Sequence, residues 1–242
     1  MKSWLRIVIT FFTTILIAWL TGFLLIFQTQ LNNDIPEMGL QKGDRILVNR
    51  CAYGMRSLIE LFHDYNSPKQ LPQKGDLIAF YDPLSTIKSI SSRPVNIGRC
   101  TALPGDTVCF TWKNNNHTFK HQKLVIPQKG IPIKVEPYNK IILANALHLH
   151  ENKNVCWDCD SVLVVDGKRL KSVCFSQDYL WIGNTESTTL SYDSQLFGLI
   201  PTSHVAGKIL CTTFSFDSEQ PFYRSLRLNR CFIPLHESTI II

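Results

Sequence analysis

The hydrophobic pattern divides the chain in two. Residues 7–27 form one uncharged apolar run, IVITFFTTILIAWLTGFLLIF. From about residue 35 the pattern changes to short runs rich in Val, Ile, Leu, Thr and aromatics, at 45–49, 77–81, 107–112, 124–126, 140–143, 162–165, 180–182 and 207–216. Turn residues separate them, among them Gln73-Lys74-Gly75-Asp76, Leu103-Pro104-Gly105-Asp106 and Asp166-Gly167-Lys168. Such spacing predicts a mostly β fold, a sandwich or barrel-like domain, and not βαβ units. Residues 97–106 read as the end of a buried strand running into a Pro-Gly turn. One helix is expected at 54–63.

The apolar run is long enough for a transmembrane helix, which needs about 20 such residues. A cleaved signal peptide has a shorter core, about 7–15 residues, ending in small residues at a cleavage site. Here the run continues into Gln28-Thr29-Gln30-Leu31-Asn32 with no Ala-x-Ala, so a retained single-pass anchor is expected at 7–27. Lys2 and Arg6 precede it, and Asn32, Asn33 and Asp34 follow. The positive-inside rule puts residues 1–6 in the cytoplasm and 28–242 on the outer face of the inner membrane.

Composition narrows the class. Of 242 residues, 45% are hydrophobic and 18% charged, which excludes a disordered chain. The net charge is +6, but Lys and Arg are scattered without aromatic interleaving, so no nucleic-acid partner is expected. A basic ectodomain near anionic headgroups accounts for the charge better. Eight cysteines are too few for a disulfide scaffold at this length.

Four stretches occur in a telling order behind the anchor. Gly43-Asp44-Arg45-Ile46-Leu47-Val48 comes first, then Lys74-Gly75-Asp76-Leu77-Ile78-Ala79-Phe80, then Arg99 with Leu103-Pro104-Gly105-Asp106. Last is Ser191-Tyr192-Asp193-Ser194-Gln195 with Gly198. Together they resemble the type I signal peptidases, membrane serine proteases with a Ser-Lys catalytic pair. The closing segment Phe214-Ser215-Phe216-Asp217 … Arg224-Ser225-Leu226-Arg227-Leu228-Asn229-Arg230 is similar to that of Bacteroidetes members. The resemblance implies one transmembrane helix, a signal-peptidase-like β-domain over 28–106 and 181–242, and a second, inserted β-subdomain over 107–180.

The resemblance also exposes two absences. The family nucleophile lies eight residues before its Gly-Asp; counting back from Gly43 gives Ile35, and no serine lies between Ser3 and Ser57. The nearest hydroxyl is that of Thr29. The family lysine immediately precedes the arginine that Arg99 matches, and its position is Gly98. In the family's third box a serine hydrogen-bonds the lysine and an aspartate pairs with an arginine two residues on. Here Ser191, Asp193 and Ser194 persist, but Gly98 and Gln195 stand where the partners should be. A Ser-Lys mechanism needs a hydroxyl and an amine made neutral by burial, and removing the nucleophile of a serine protease costs about six orders of magnitude in turnover. The expectation is an inactive homologue that needs no cofactor and binds signal peptides or an active signal peptidase at the bilayer. An active enzyme would have to recruit displaced groups such as Lys42, Ser191 or Ser194.

Other candidates have plainer readings. Cys156 and Cys159 form a C-x-x-C preceded by His148 and His150, a donor set that suits zinc. His-x-His would put both rings on one face of a strand. The βαβ context of a redox C-x-x-C is missing, and a local disulfide or free thiols is the ordinary reading. Asp44, Asp76 and Asp106 each follow glycine, the arrangement of carboxylates that cap turns.

Overall fold

The computed structural model describes residues 2–31, 34–35, 38–54, 70–85, 87, 89–114, 117–158, 162–183, 194–217, 219–221 and 224–235. The expected helix at 54–63 lies outside them from residue 55 on.

A helix, α1 (Lys2–Leu25), leads into β1 (Ile26–Gln30), β2 (Asp44–Asn49), β3 (Leu77–Tyr81) and β4 (Val95–Ala102). Next come β5 (Thr107–Asn114), β6 (His117–Val125), β7 (Ile133–Lys134), a second helix α2 (Lys140–His150), β8 (Val155–Trp157), β9 (Leu163–Val165), β10 (Lys168–Arg169) and β11 (Ser172–Val173). The chain then returns through β12 (Tyr179–Ile182), a single helical turn α3 (Ser194–Phe197), β13 (Ile200–Pro201) and the long β14 (Val205–Ser215).

Seven strands form one antiparallel sheet in the order β1-β2-β14-β3-β4-β12-β13. β3 lies inside it and is buried along its whole length, which explains why 77–81 reads as a continuous apolar run and not as an alternating one. Its side chains alternate between two cores. Leu77, Ala79 and Tyr81 join Leu31, Leu40, Ile46, Val48, Ile97, Ala206 and Ile209 on one face. Ile78 and Phe80 join Cys100, Leu180, Ile182, Phe197, Ile200 and Val205 on the other. A third core gathers residues of 124–175 around α2 and the ends of β4 and β12.

The β-rich class stands, with two corrections. Residues 140–143, expected as a strand, open α2. Leu143, Ala144, Ala146 and Leu147 are its buried residues, a 3.6-residue spacing that a four-residue apolar window cannot distinguish from a strand. The inserted stretch is therefore not purely β. The apolar N-terminal run is helical only to Leu25, and Ile26 and Phe27 already pair with β2. Among the described residues no helix is long and apolar enough to cross a membrane. In α1, the side chains of Ala18, Thr21, Phe23 and Leu24 are among those outside the description.

Candidate functional site

Three turns of one design frame the sheet: Gln41-Lys42-Gly43-Asp44, Gln73-Lys74-Gly75-Asp76 and Leu103-Pro104-Gly105-Asp106. In each, the glycine has φ near +90° (91, 94 and 88°), which a residue with a Cβ adopts only under strain. The aspartate amide donates to the carbonyl three residues back, and the carboxylate accepts that residue's amide in return, at 2.9 Å from Gln41, 2.9 Å from Gln73 and 2.7 Å from Leu103. Each carboxylate also takes a cation: Arg230 at Asp44, Lys208 at Asp76 and Lys74 at Asp106. Burial pushes the Asp44 and Asp76 carboxyls up, but the hydrogen bonds from Arg230, the Gln41 amide and Ser215 at Asp44, and from Lys208, the Gln73 amide and Tyr53 at Asp76, together with the two cationic charges, outweigh it, and both are held below the usual carboxylate range. Asp106 is lowered by the Leu103 amide and then Lys74. These are turn caps, as the sequence indicated; Tyr53, whose hydroxyl donates to Asp76 Oδ2 at 2.7 Å, and Lys208 carried no sequence signal.

Ile35 sits at the mouth of the first turn. It exchanges two backbone hydrogen bonds with Leu40, at 2.9 and 3.1 Å. Its side chain packs against the core face that holds Leu40 and Ile97. Gly98, in the middle of β4, points to the opposite core. A Cβ built on Gly98 would overlap the Cγ2 methyl of Ile182 and touch Phe80 at 3.5 Å. The space in which a buried amine would begin is occupied by Ile182.

Ser194 is almost fully buried and its hydroxyl accepts the Ile182 amide at 2.9 Å. Arg99 donates to the Gly75 carbonyl at 3.0 Å and so braces the second turn. Ser191 and Asp193 lie outside the described residues. Cys100, two residues beyond Gly98, is fully buried; burial, with the Asp76 and Asp106 carboxylates, pushes its thiol up to about 12, leaving no thiolate to act as a nucleophile.

Beside Ser194 lies an apolar hollow of about 290 Å³, walled by Ile142, Ala146 and Leu149 of α2 and by Trp181, Phe197 and Leu199. Leu149 and Leu196 stay exposed at its rim. Behind it is a polar seam. Arg93 lies 3.0 Å from His204 Nε2, Ser203 Oγ donates to Gln177 at 2.8 Å, and the His150 ring packs tilted against Tyr179 and edge-to-face against His204. Desolvation, and secondarily Arg93, pull the His150 imidazole down to about 4. A guanidinium can only donate, so Nε2 of His204 serves as the acceptor, and Nδ1, which lies 3.4 Å from Ser203 Oγ, carries the proton in the neutral ring and is not a base for Ser203.

The two histidines of the zinc candidate do not share a strand face as expected. His148 and His150 lie on a helix, where a spacing of two turns the rings about 200° apart, and His150 faces the seam while His148 is exposed. Among the described residues no group of His, Cys, Asp and Glu could hold a metal. Cys51, Cys100, Cys109, Cys156, Cys174, Cys211 and Cys231 are free thiols; Cys159 lies outside the described residues.

The family model described as "Signal peptidase, peptidase S26" matches residues 4–214. The chain belongs to this family. Over 144 residues it is 31% identical to Signal peptidase I of Pseudomonas aeruginosa, a match covering 58% of this chain and 47% of the relative. The chain spans about half the length of that curated relative. Within the signal peptidase family match lie both Ile35 and Gly98; Arg227 and Arg230 lie beyond its end.

Proposed function

We propose that this signal peptidase family member is a membrane-anchored protein that binds signal-peptide segments of exported preproteins without cleaving them. The observation that carries the reading is the pair Ile35 and Gly98, at the positions the motifs give to the nucleophile and the general base. Ile182 over Gly98 adds to it, since the lysine has been lost and its space filled. Among the described residues, Ser194 is spent on the Ile182 amide, and Cys100 holds its proton. What persists is the sheet, the turns that brace it and the apolar hollow beside Ser194, a shape suited to an apolar side chain of an extended peptide.

The membrane part rests on α1. Phe11, Phe12, Ile15, Leu16, Ile17 and Trp19 are each at least half exposed, and they include consecutive positions, so apolar surface faces outward around the helix. A helix apolar on all sides is stable when lipid or protein surrounds it. With Lys2 and Arg6 at its start, it would anchor the chain with the sheet on the outer face. An association with an active signal peptidase would use the same anchor.

Photo-crosslinking tests the reading. Full-length protein in liposomes is presented with a preprotein carrying a photoreactive residue at its signal-peptide junction. A crosslink competed by excess signal peptide is expected. Absence of any crosslink, under conditions in which an active signal peptidase gives one, would overturn it.

A further inference from the structure

After β14 the chain doubles back. Phe216 bridges Leu226, Arg227 N–H donates to the Ser215 carbonyl at 2.9 Å, and Cys211 bridges Pro234. This C-terminal arm does more than cover an edge: it grips the loop that follows Ile35. Arg230 holds Asp44 through two hydrogen bonds, Nε to Oδ1 at 3.2 Å and Nη2 to Oδ2 at 2.7 Å, and Nη2 also donates to the Gly39 carbonyl at 2.6 Å. The Asp44 side chain is fully enclosed and that of Arg230 is 18% exposed. Arg227 donates to Gln41 Oε1 at 3.1 Å. Phe216 N–H donates to the Gly43 carbonyl at 3.1 Å, and a Cβ at Gly43 would collide with the Phe216 carbonyl oxygen. Five contacts from one arm thus converge on residues 39–44.

Beyond the arm, the loop is held by Leu40, buried in the core, and by the Gly43 amide, which donates to the Leu31 carbonyl at 3.0 Å. Its other amides bond locally: Leu40 to the Ile35 carbonyl, Gln41 to Asp44 Oδ2, Lys42 to Asp34 Oδ1 and Asp44 to the Gln41 carbonyl. The carboxylate that organises this set is the one Arg230 grips. We propose that the arm segment 224–234 is a latch that sets the conformation of the loop at 38–44, and that Arg230 is its positioning residue. Arginine suits this role because its planar fork donates to carboxylate and carbonyl at once, which a lysine cannot reproduce. The latch lies beyond the region matched by the family model, which ends at residue 214, and it acts on the loop that follows the nucleophile position. A peptide bound beside that loop would depend on it; that consequence rests on the proposed function, whereas the latch does not.

Amide hydrogen exchange on the full-length protein separates the two. In Arg230→Ala, amides of residues 40–44 should exchange at least about tenfold faster, while those of 78–80 in β3 keep their rates, as expected for local opening. Arg230→Lys should fall between, and it keeps the test alive if the alanine variant does not fold. Unchanged loop rates, or loop and core rates that rise together in both variants, would overturn the latch. Crosslinking of the preprotein to the same variants reads the consequence. A loosened loop with undiminished crosslinking would support the latch and contradict peptide binding beside this loop.

Discussion

Ile182 stands directly over Gly98, so that a side chain at position 98 of this signal peptidase family member would enter a filled space. The two residues lie on neighbouring strands, β12 and β4, with Ile182 registered opposite Cys100. Ile182 is fully buried, and its amide is held by Ser194. A lysine at position 98 would therefore need more than one substitution.

Gly98→Lys alone should be strongly destabilising. The new Cβ meets a packed methyl, and overpacking costs about 1–3 kcal/mol before any cost of burying an amine. Adding Ile182→Ala should recover part of the loss by making room. Urea unfolding of the two variants against the natural protein measures it. A Gly98→Lys protein as stable as the parent would show that the core yields easily there.

Asp44 and Arg230 should be far less replaceable than exposed pairs. Removing one partner leaves a buried charge uncompensated, at about 3–5 kcal/mol. Arg230→Ala is expected to cost that order in denaturant unfolding, whereas Lys74→Ala, facing the more open Asp106, should cost less than about 1 kcal/mol. Equal effects would contradict the ranking.

Acid should weaken the fold through the capped turns. The carboxyls of Asp44, Asp76 and Asp106 are all held below their ordinary value. Their contribution is complete above the unfolded carboxyl pKa, about 3.9, and is lost as pH falls through the lowered folded values. Asp44→Asn should flatten part of that acid limb when unfolding midpoints are measured against pH.

His150 gives a separate limb at higher pH. Its folded value, about 4, lies below the unfolded value of about 6.5. The unfolded chain binds more protons between these values, so stability should be full above pH 6.5 and decline as pH falls toward 4, by a few kcal/mol at most. His150→Phe should remove this limb while leaving the one from the aspartates. Titration of the His150 ring by NMR with a midpoint near 6.5 would contradict the buried seam.

Much of this was legible in the chain and some was not, for physical reasons. The strand at 77–81 and its neighbours announced themselves because a sheet interior needs unbroken apolar runs. The Gly-Asp turns were legible because positive φ and carboxylate capping are local demands. Residues 140–143 misled because four apolar residues fit either period, and only Ala146 and Leu147 downstream complete the helical face. The candidate positions 35 and 98 could be counted from neighbouring motifs. That Ile182 fills one of them, and that Arg230 grips the loop of the other, depends on contacts spanning 84 and 186 residues, which no local pattern encodes.

Cleavage of a radiolabelled preprotein by the purified full-length protein in liposomes tests the central claim most directly. No mature product is expected from the natural chain at any enzyme concentration at which an active signal peptidase processes the substrate fully. Release of mature protein cut at the signal-peptide junction would contradict it and require a nucleophile other than residue 35.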